Sequence, residues 1–169
     1  MNSPPTLRLE VGVLSHNYDK YENEMMGLGF SLPNIWAFAK QNIDKNMSKS
    51  MAKEEKLSSG SPMRAVDPDG CSVEFSYRKL DENEILYETT KEYAEGSVKQ
   101  IGAGAVVKEI QIGPEKYYGY VVVKAEGNKT TYIINVLKKV EDYILCYRIS
   151  GTDKEKVESL VLNLYTLNN

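Results

Sequence analysis

One polar residue on each of four consecutive β-like segments gives this chain its best candidate site. The four residues are Glu109, Tyr120, Asn135 and Arg148. A guanidinium is a planar fork that binds carboxylates and phosphates through parallel hydrogen bonds, and a tyrosine anchors a ligand through its ring and its hydroxyl. The sequence leaves two interpretations open: a polar ladder that stabilises a partly solvated sheet face, or a surface that binds a small-molecule ligand or a protein.

The row exists only if the segments that carry it pair in a particular way. The stretch from Gly104 to Ser150 contains β-rich runs joined by short connections, which predicts an up-and-down antiparallel meander. A four-residue connection at 113–116 places Ile112 opposite Tyr117 and brings the four polar residues into line across one face. The other face of the sheet is then almost continuously apolar, and it requires at least one helix packed against it.

Catalytic and metal-binding arrangements are hard to build from the remaining residues. His16 is the only histidine, so histidine-rich metal sites are excluded, and any Ser-His-Asp or Cys-His arrangement depends on that one residue. Asp67 and Asp69, followed by Gly70, partly resemble a calcium loop, but the closing glutamate is missing, which favours an ordinary turn. We therefore expect no catalytic residues, no metal and no cofactor.

The first half of the chain alternates between strand patterns and polar segments. Strands are predicted at Thr6–Leu14 and at Gly27–Leu32, and a helix over about 41–52. The segment 53–62 has the composition of a mobile loop. The Asp-Pro-Asp-Gly turn at 67–70 predicts a hairpin, because this is strong turn chemistry between two alternating runs.

Capping signals predict two helices in the second half. Asp81 with Glu84 resembles a helix start, and that helix should extend to about Gln100. Thr152 with Glu155 forms a T-x-x-E capping box. Apolar residues at helical spacing follow it, so the chain is predicted to end in an amphipathic helix. These residues are Val157, Leu160, Val161 and Leu164.

The composition limits the class of protein. A chain of 169 residues suits a single domain, with a flexible leader at 1–6. A net charge of −3 argues against a nucleic-acid partner, and no apolar run approaches the roughly 20 residues of a membrane-spanning helix. Cys71 and Cys146 are either two separate thiols or one bridge. The N-terminus shows no export signal, although it would also suit a chain trimmed of its leader.

A series of residues near the N-terminus matches a pattern of the type Tyr-x-Asn, then Gly-rich strand, then Pro-x-x-Trp. The matching residues are Tyr21, Asn23, Gly27, Gly29, Phe30, Leu32, Pro33 and Trp36. Together with the hairpin, helix, meander and final segment Tyr143–Leu164, this order resembles the PsbP-like fold, and most closely the small uncharacterised secreted lipoproteins of bacteria that share it. The lipobox cysteine of those proteins is missing from this sequence.

The resemblance implies both a fold and a kind of function. It implies an α+β fold in which an antiparallel sheet with a meander core lies between helices, an α-β-α sandwich. The better-known relatives, lumenal photosystem subunits and a Ran-binding nuclear transport factor, are not enzymes. We therefore expect a non-catalytic binding or accessory module outside the cytoplasm. The alternatives are a cytoplasmic location, a structural component of an envelope complex, or a hydrolase-type enzyme that uses the row of four polar residues.

Overall fold

The computed structural model describes residues 13–14, 20–33, 36–38 and 59–167. Several predictions lie outside these ranges: the leader at 1–6, most of the first strand, His16, the helix over 41–52 and the first part of the loop at 53–62. The strands are β1 (Val13–Leu14), β2 (Lys20–Asn23), β3 (Leu28–Ser31), β4 (Ala37–Phe38), β5 (Ser59–Val66), β6 (Ser72–Lys79), β7 (Ala105–Ile112), β8 (Glu115–Glu126), β9 (Lys129–Val140), β10 (Tyr143–Gly151) and β11 (Leu164–Thr166). The α-helices in these ranges are α1 (Thr90–Ile101) and α2 (Lys154–Leu160), with 3₁₀ turns at Glu84–Leu86 and Val161–Asn163.

The predicted meander and the predicted hairpin belong to one antiparallel sheet. Strands β7 to β10 pair in sequence order, and β6 pairs with β10, so that the hairpin extends the meander. The strand order is β4-β5-β6-β10-β9-β8-β7. The prediction of a mobile loop is wrong at 59–62, because these residues are part of β5, which is irregular between Gly60 and Met63.

Two of the three predicted connections have the expected register, and the first does not. Glu126 lies opposite Lys129 and Val140 opposite Tyr143, as predicted. At the first connection Ile112 lies opposite Glu115, because the turn contains two residues rather than four. Its first residue, Gly113, has φ of 58°, a conformation that two-residue hairpin turns require and that glycine adopts freely.

A second, smaller sheet was not predicted. Its order is β1-β2-β3-β11, so the last strand of the described chain pairs with a strand near its start. The prediction that the chain ends in a helix is therefore wrong beyond Leu160, and Leu164 lies opposite Phe30 in the small sheet. The predicted capping box is also wrong: Asp153 is the N-cap of α2, and its carboxylate accepts the backbone N–H of Lys156.

Helix α1 begins later than predicted. Asp81 accepts the backbone N–H groups of Asn83 and Glu84, but this arrangement caps only the single 3₁₀ turn at Glu84–Leu86. The α-helix starts after Thr89, which forms a capping box with Glu92. The predicted segment therefore contains two short elements, since the first one ends where the chain becomes extended at residue 87.

The large sheet has a packed layer on each of its faces. On one face lie the small sheet and α2, and Phe75 and Tyr147 of the large sheet meet Tyr21 of the small one through ring contacts at 5.8 and 5.1 Å. The Tyr147 hydroxyl donates to the Leu28 carbonyl at 3.0 Å, which satisfies a fully buried polar group. On the other face α1 packs Tyr93 against the sheet.

This arrangement confirms the predicted α+β class, with an antiparallel sheet between helices. The small sheet is an addition to the predicted sandwich. Both cysteines are described and both are free thiols. Among the residues described, no helix has the length and apolar character needed to cross a bilayer.

Candidate functional site

Three of the four predicted site residues lie in one cross-strand row. Tyr120 lies opposite Asn135, and Asn135 lies opposite Arg148. The row continues across the next two strands with Glu74 and then Arg64. This face of the sheet therefore carries a line of polar and charged side chains that is longer than the meander itself.

Glu109 is not part of the row, and its placement there is a wrong prediction. The two-residue turn shifts β7 by two positions, which keeps Glu109 on the same face but places it opposite Tyr118. Val107 lies opposite Tyr120 instead. The exposed carboxylate of Glu109 forms an ion pair with Lys116, 3.4 Å from its ammonium.

Asn135 fixes the orientation of the row. It is only 2% exposed, and its Oδ1 accepts the Nε–H of Arg148 at 3.1 Å and the thiol of Cys146 at 3.5 Å. Its Nδ2 lies 3.5 Å from the Tyr120 carbonyl, to which it donates. A hydrogen bond at Nε leaves both terminal nitrogens of an arginine available, so the exposed Arg148 side chain presents its fork away from Asn135.

A groove of about 450 Å³ lies above the row. It is bounded by the first residues of β5, by β6, and by Tyr93 of α1. Its lining combines hydroxyl, amide and guanidinium groups with a few apolar side chains. The polar lining residues are Ser59, Ser61, Ser76, Tyr77, Arg78, Tyr93, Tyr120, Asn135 and Arg148.

The two arginines in the groove have different surroundings. Arg78 donates through both terminal nitrogens to the carboxylate of Glu84, each at 2.7 Å, and Nη2 also donates to the Tyr93 hydroxyl at 2.7 Å. These bonds raise the pKa of Arg78 and lower that of Glu84. Within the described part of the chain, Arg148 forms no ion pair. Arg148 therefore has the binding capacity that Arg78 has already used.

The ionisable groups at the base of the groove are held in their neutral forms. Burial raises the pKa of the half-buried Cys146 thiol to about 12. Burial also raises the pKa values of Tyr120 and Tyr93 above their ordinary range. At neutral pH these residues offer hydrogen-bond donors and acceptors, and none of the three is a base or a thiolate nucleophile.

Glu74, Ser61 and Arg78 are groove or row residues that were not predicted. Glu74 lies opposite Arg148, and its carboxylate accepts the Ser61 hydroxyl at 2.6 Å. The alternation of residues 71–77 places Glu74 on the polar face of its hairpin. The pairing of β6 with β10 joins residues 74 positions apart, and no local pattern in the sequence signals it.

The Asp67–Gly70 turn holds a lysine rather than an arrangement suited to calcium. Asp67 is buried and accepts the backbone N–H groups of Asp69 and Cys71, each at 2.9 Å. The ammonium of Lys156, on α2, forms ion pairs with Asp67 and with Asp69. Burial opposes ionisation of Asp67, but these hydrogen bonds outweigh it and lower its pKa. Among the residues described, no three His, Cys, Asp or Glu side chains cluster as a metal site.

No family model and no curated protein matches the chain. Solved structures with a similar arrangement include a protein of Bacteroides thetaiotaomicron, with a TM-score of 0.46 and 10% identity over 89% of this chain. The chain spans about half of that structure, 49% of its length. They also include the cyanobacterial PsbP protein of Synechocystis, with a TM-score of 0.38 and 10% identity, covering 88% of this chain and 91% of that one.

A third similar structure is the extracellular domain of PknH from Mycobacterium tuberculosis, with a TM-score of 0.27 and 8% identity over 75% of both chains. A PsbP protein is thus among the similar structures, in agreement with the resemblance seen in the sequence. At these identities and TM-scores the likenesses carry no argument about function. The functional argument rests on the groove of this chain.

Proposed function

We propose that this protein is a non-catalytic binding module that holds an anionic group of its ligand on Arg148. One observation carries the proposal: Asn135 fixes Arg148 through Nε, and the two terminal nitrogens remain available beside a groove of about 450 Å³. A guanidinium fixed in this way matches the two oxygens of a carboxylate or phosphate. The entropy lost on binding is small, because the side chain is already oriented.

The rest of the groove suits a ligand that has both polar and apolar parts. The hydroxyls of Tyr77, Tyr93 and Ser76 offer hydrogen bonds, while Leu137 and Ile144 contribute apolar surface. Small-molecule sites in proteins commonly combine apolar walls with a few polar groups that fix orientation. Glu74, next to Arg148 on the row, disfavours a ligand that places a second negative charge over β6.

The non-catalytic part of the proposal is supported by the protonation states of the groove. Because burial keeps the Cys146 thiol and the Tyr120 and Tyr93 hydroxyls neutral, the base of the groove supplies no group that accepts a proton at neutral pH. A location outside the cytoplasm belongs to the same proposal. It is supported by the resemblance of the sequence to secreted lipoproteins, and fractionation of cells that express the full-length protein tests it.

The binding test compares three variants with the wild type. Inorganic phosphate and citrate are titrated while the arginine Nε–H signals and the backbone amides are followed by NMR. We expect saturable shifts at Arg148 and Asn135. We expect Arg148→Ala to weaken binding about tenfold or more, because a charge-assisted bidentate contact contributes about 1.5–3 kcal/mol. Arg148→Lys should recover only part of this affinity, since an ammonium lacks the fork.

Arg64→Ala is the matched control, because Arg64 lies on the same row two strands away from Arg148 and does not line the groove. Equal loss in the Arg64 and Arg148 variants would reduce the effect to surface charge and contradict the proposal. A loss of several kcal/mol of stability in Arg148→Ala or Tyr120→Ala would show that the row is structural. Ester hydrolysis by the wild type that Arg148→Ala abolishes would favour the hydrolase alternative.

A further inference from the structure

The opposite face of the large sheet carries an apolar groove that the fold leaves open. It lies between α2 and strands β7 and β8, with a volume of about 620 Å³. Val106 is 60% exposed and Val123 42% exposed on its floor, and Leu162 is 86% exposed at its rim. Helix α2 covers the centre of the sheet, where Ile134 is buried, but it does not extend over β7. This groove is separated from the Arg148 groove by the thickness of the sheet.

The floor of this groove ends at an edge strand. Strand β7 is the last in the order of the large sheet and pairs with β8 alone among the described strands. An edge strand presents a row of backbone N–H and C=O groups that can pair with another extended chain. Val106, Lys108 and Ile110 alternate along β7 and all line the groove. Alternate side chains of a strand added to β7 would therefore cover the exposed apolar floor.

The charges of β7 disfavour a second copy of this chain as the added strand. Two copies of β7 that pair antiparallel about a two-fold axis must keep the same side chains on the same face. The two registers with the greatest overlap then place Lys108 opposite Lys108, or Glu109 opposite Glu109. Like charges directly opposite each other destabilise a strand pair. Lysine on an edge strand is also a common device against self-association.

The same lysine favours a different partner. Lys108 lies between Val106 and Ile110 on the groove-facing side, and Lys154 of α2 also lines the groove. In the described part of the chain neither lysine forms an ion pair. An added strand therefore gains most if an acidic residue lies opposite Lys108 and apolar residues lie opposite Val106 and Ile110.

We propose that β7 accepts an extended segment of a partner protein in which an acidic residue lies between two apolar residues at alternate positions. The segment extends the large sheet by one strand and covers the apolar groove beside α2. This pattern reads the same in both chain directions, so it fits parallel and antiparallel addition. The proposal does not depend on the Arg148 groove, and either one can fail without the other.

The test uses the full chain and a fluorescein-labelled peptide of sequence Thr-Val-Thr-Glu-Thr-Val-Thr, with blocked ends. The control peptide has lysine in place of glutamate. By fluorescence anisotropy we expect the glutamate peptide to bind the wild type roughly fivefold more tightly than the lysine peptide, and Lys108→Glu to reverse this order. Lys108 is on an exposed edge, so this variant should keep the fold, which a thermal melt checks.

Two methylated peptides separate strand addition from simple hydrophobic docking. One carries N-methyl groups on the Val and Glu amides, the other on the Thr amides, so each lacks the N–H donors of one edge. We expect one of them to lose binding and the other to retain it, because only one edge of an added strand faces β7. Equal binding by both methylated peptides would overturn the proposal, and so would an unchanged peptide preference in Lys108→Glu. Absence of peptide binding would assign the groove to the chain's own remaining residues, and a wild-type dimer that Val106→Asp dissociates would assign it to a second copy; both results overturn the proposal.

Discussion

Asn135 accepts the Nε–H of Arg148 across neighbouring strands at 3.1 Å and is itself almost completely buried. A buried amide that bonds an exposed guanidinium converts a flexible side chain into an oriented one. The same amide oxygen accepts the Cys146 thiol, so three residues on two strands share one hydrogen-bond centre. Such a centre links the stability of the sheet to the orientation of the candidate binding group.

The first prediction concerns this shared oxygen. Asn135→Leu removes the acceptor and leaves the size of the side chain nearly unchanged. We expect the free energy of unfolding in urea to fall by about 1–2 kcal/mol, the usual cost when buried hydrogen-bond partners are lost. The Arg148 Nε–H signal should lose its protection from exchange with water, and phosphate affinity should fall with it. A protected Nε–H in the variant would show that Asn135 does not orient the guanidinium.

The second prediction concerns the ion pairs of Lys156. Lys156→Met should lower the Tm at pH 7, because it leaves the buried Asp67 carboxylate without its cation. Lys154→Met is the control: Lys154 is in the same helix and forms no ion pair with the described residues. It should melt close to the wild type. Equal effects of the two variants would contradict a specific role for Lys156.

The pH dependence of the Lys156 variant follows from the same geometry. The folded state lowers the pKa of Asp67, so the ion pair contributes its full stability above about pH 4, the unfolded pKa of an aspartate. That contribution is lost as the pH falls through the folded pKa. We expect the difference in Tm between wild type and Lys156→Met to narrow below pH 4. A difference that stays constant down to pH 2 would exclude the Asp67 carboxylate as its source.

The third prediction concerns the close approach of β8 and β9 beside the row. A Cβ added at Gly119 would lie 1.8 Å from the backbone oxygen of Asn135, which cannot move without breaking the strand pair. Gly119→Ala should therefore cost about 2–4 kcal/mol in urea denaturation. Gly127 provides the contrast, because its φ is +62° and nothing lies near its Cβ position. Gly127→Asn should be tolerated, since asparagine adopts this conformation readily, and a loss as large as that of Gly119→Ala would contradict this account.

The fourth prediction concerns the two thiols. Burial raises the pKa of Cys146 to about 12 and also raises that of Cys71. Both should react slowly with a disulfide reagent at pH 8 in the folded protein, and rapidly in denaturant, where a cysteine has a pKa near 8.5. Stopped-flow absorbance with Cys71→Ser and Cys146→Ser separates the two rates. A fast thiol in the folded Cys71→Ser variant would show that Cys146 is more accessible than its surroundings indicate.

The meander could be predicted from sequence because its signals are local. Each of its strands alternates or is rich in β-branched residues, and each turn lies within a few residues of the strands it joins. The position of Glu109 could not be predicted, since it depended on whether Gly113 and Pro114 alone form the turn. A difference of two residues in that turn moved one acidic side chain out of a proposed site of four.

Long-range pairing explains the other differences. Leu164 continues the helical spacing of Val157 and Leu160, and the sequence alone favours one longer helix. In the fold it lies opposite Phe30, a partner 134 positions away, and that pairing outweighs the local pattern. The same holds for the contact between Glu74 and Arg148. The row of polar residues was therefore visible in part, while the groove that makes it a candidate site was not.

The pairing of β11 with β3 has a consequence for the synthesis of the protein. Residues 28–31 leave the ribosome more than 130 residues before residues 164–166, their antiparallel partners in the small sheet. Until then Leu28 and Phe30, which end up fully buried, have no finished layer to enter. Completion of the core is thus the last event of translation, and a nascent chain stalled short of residue 164 should remain a substrate for chaperones and proteases.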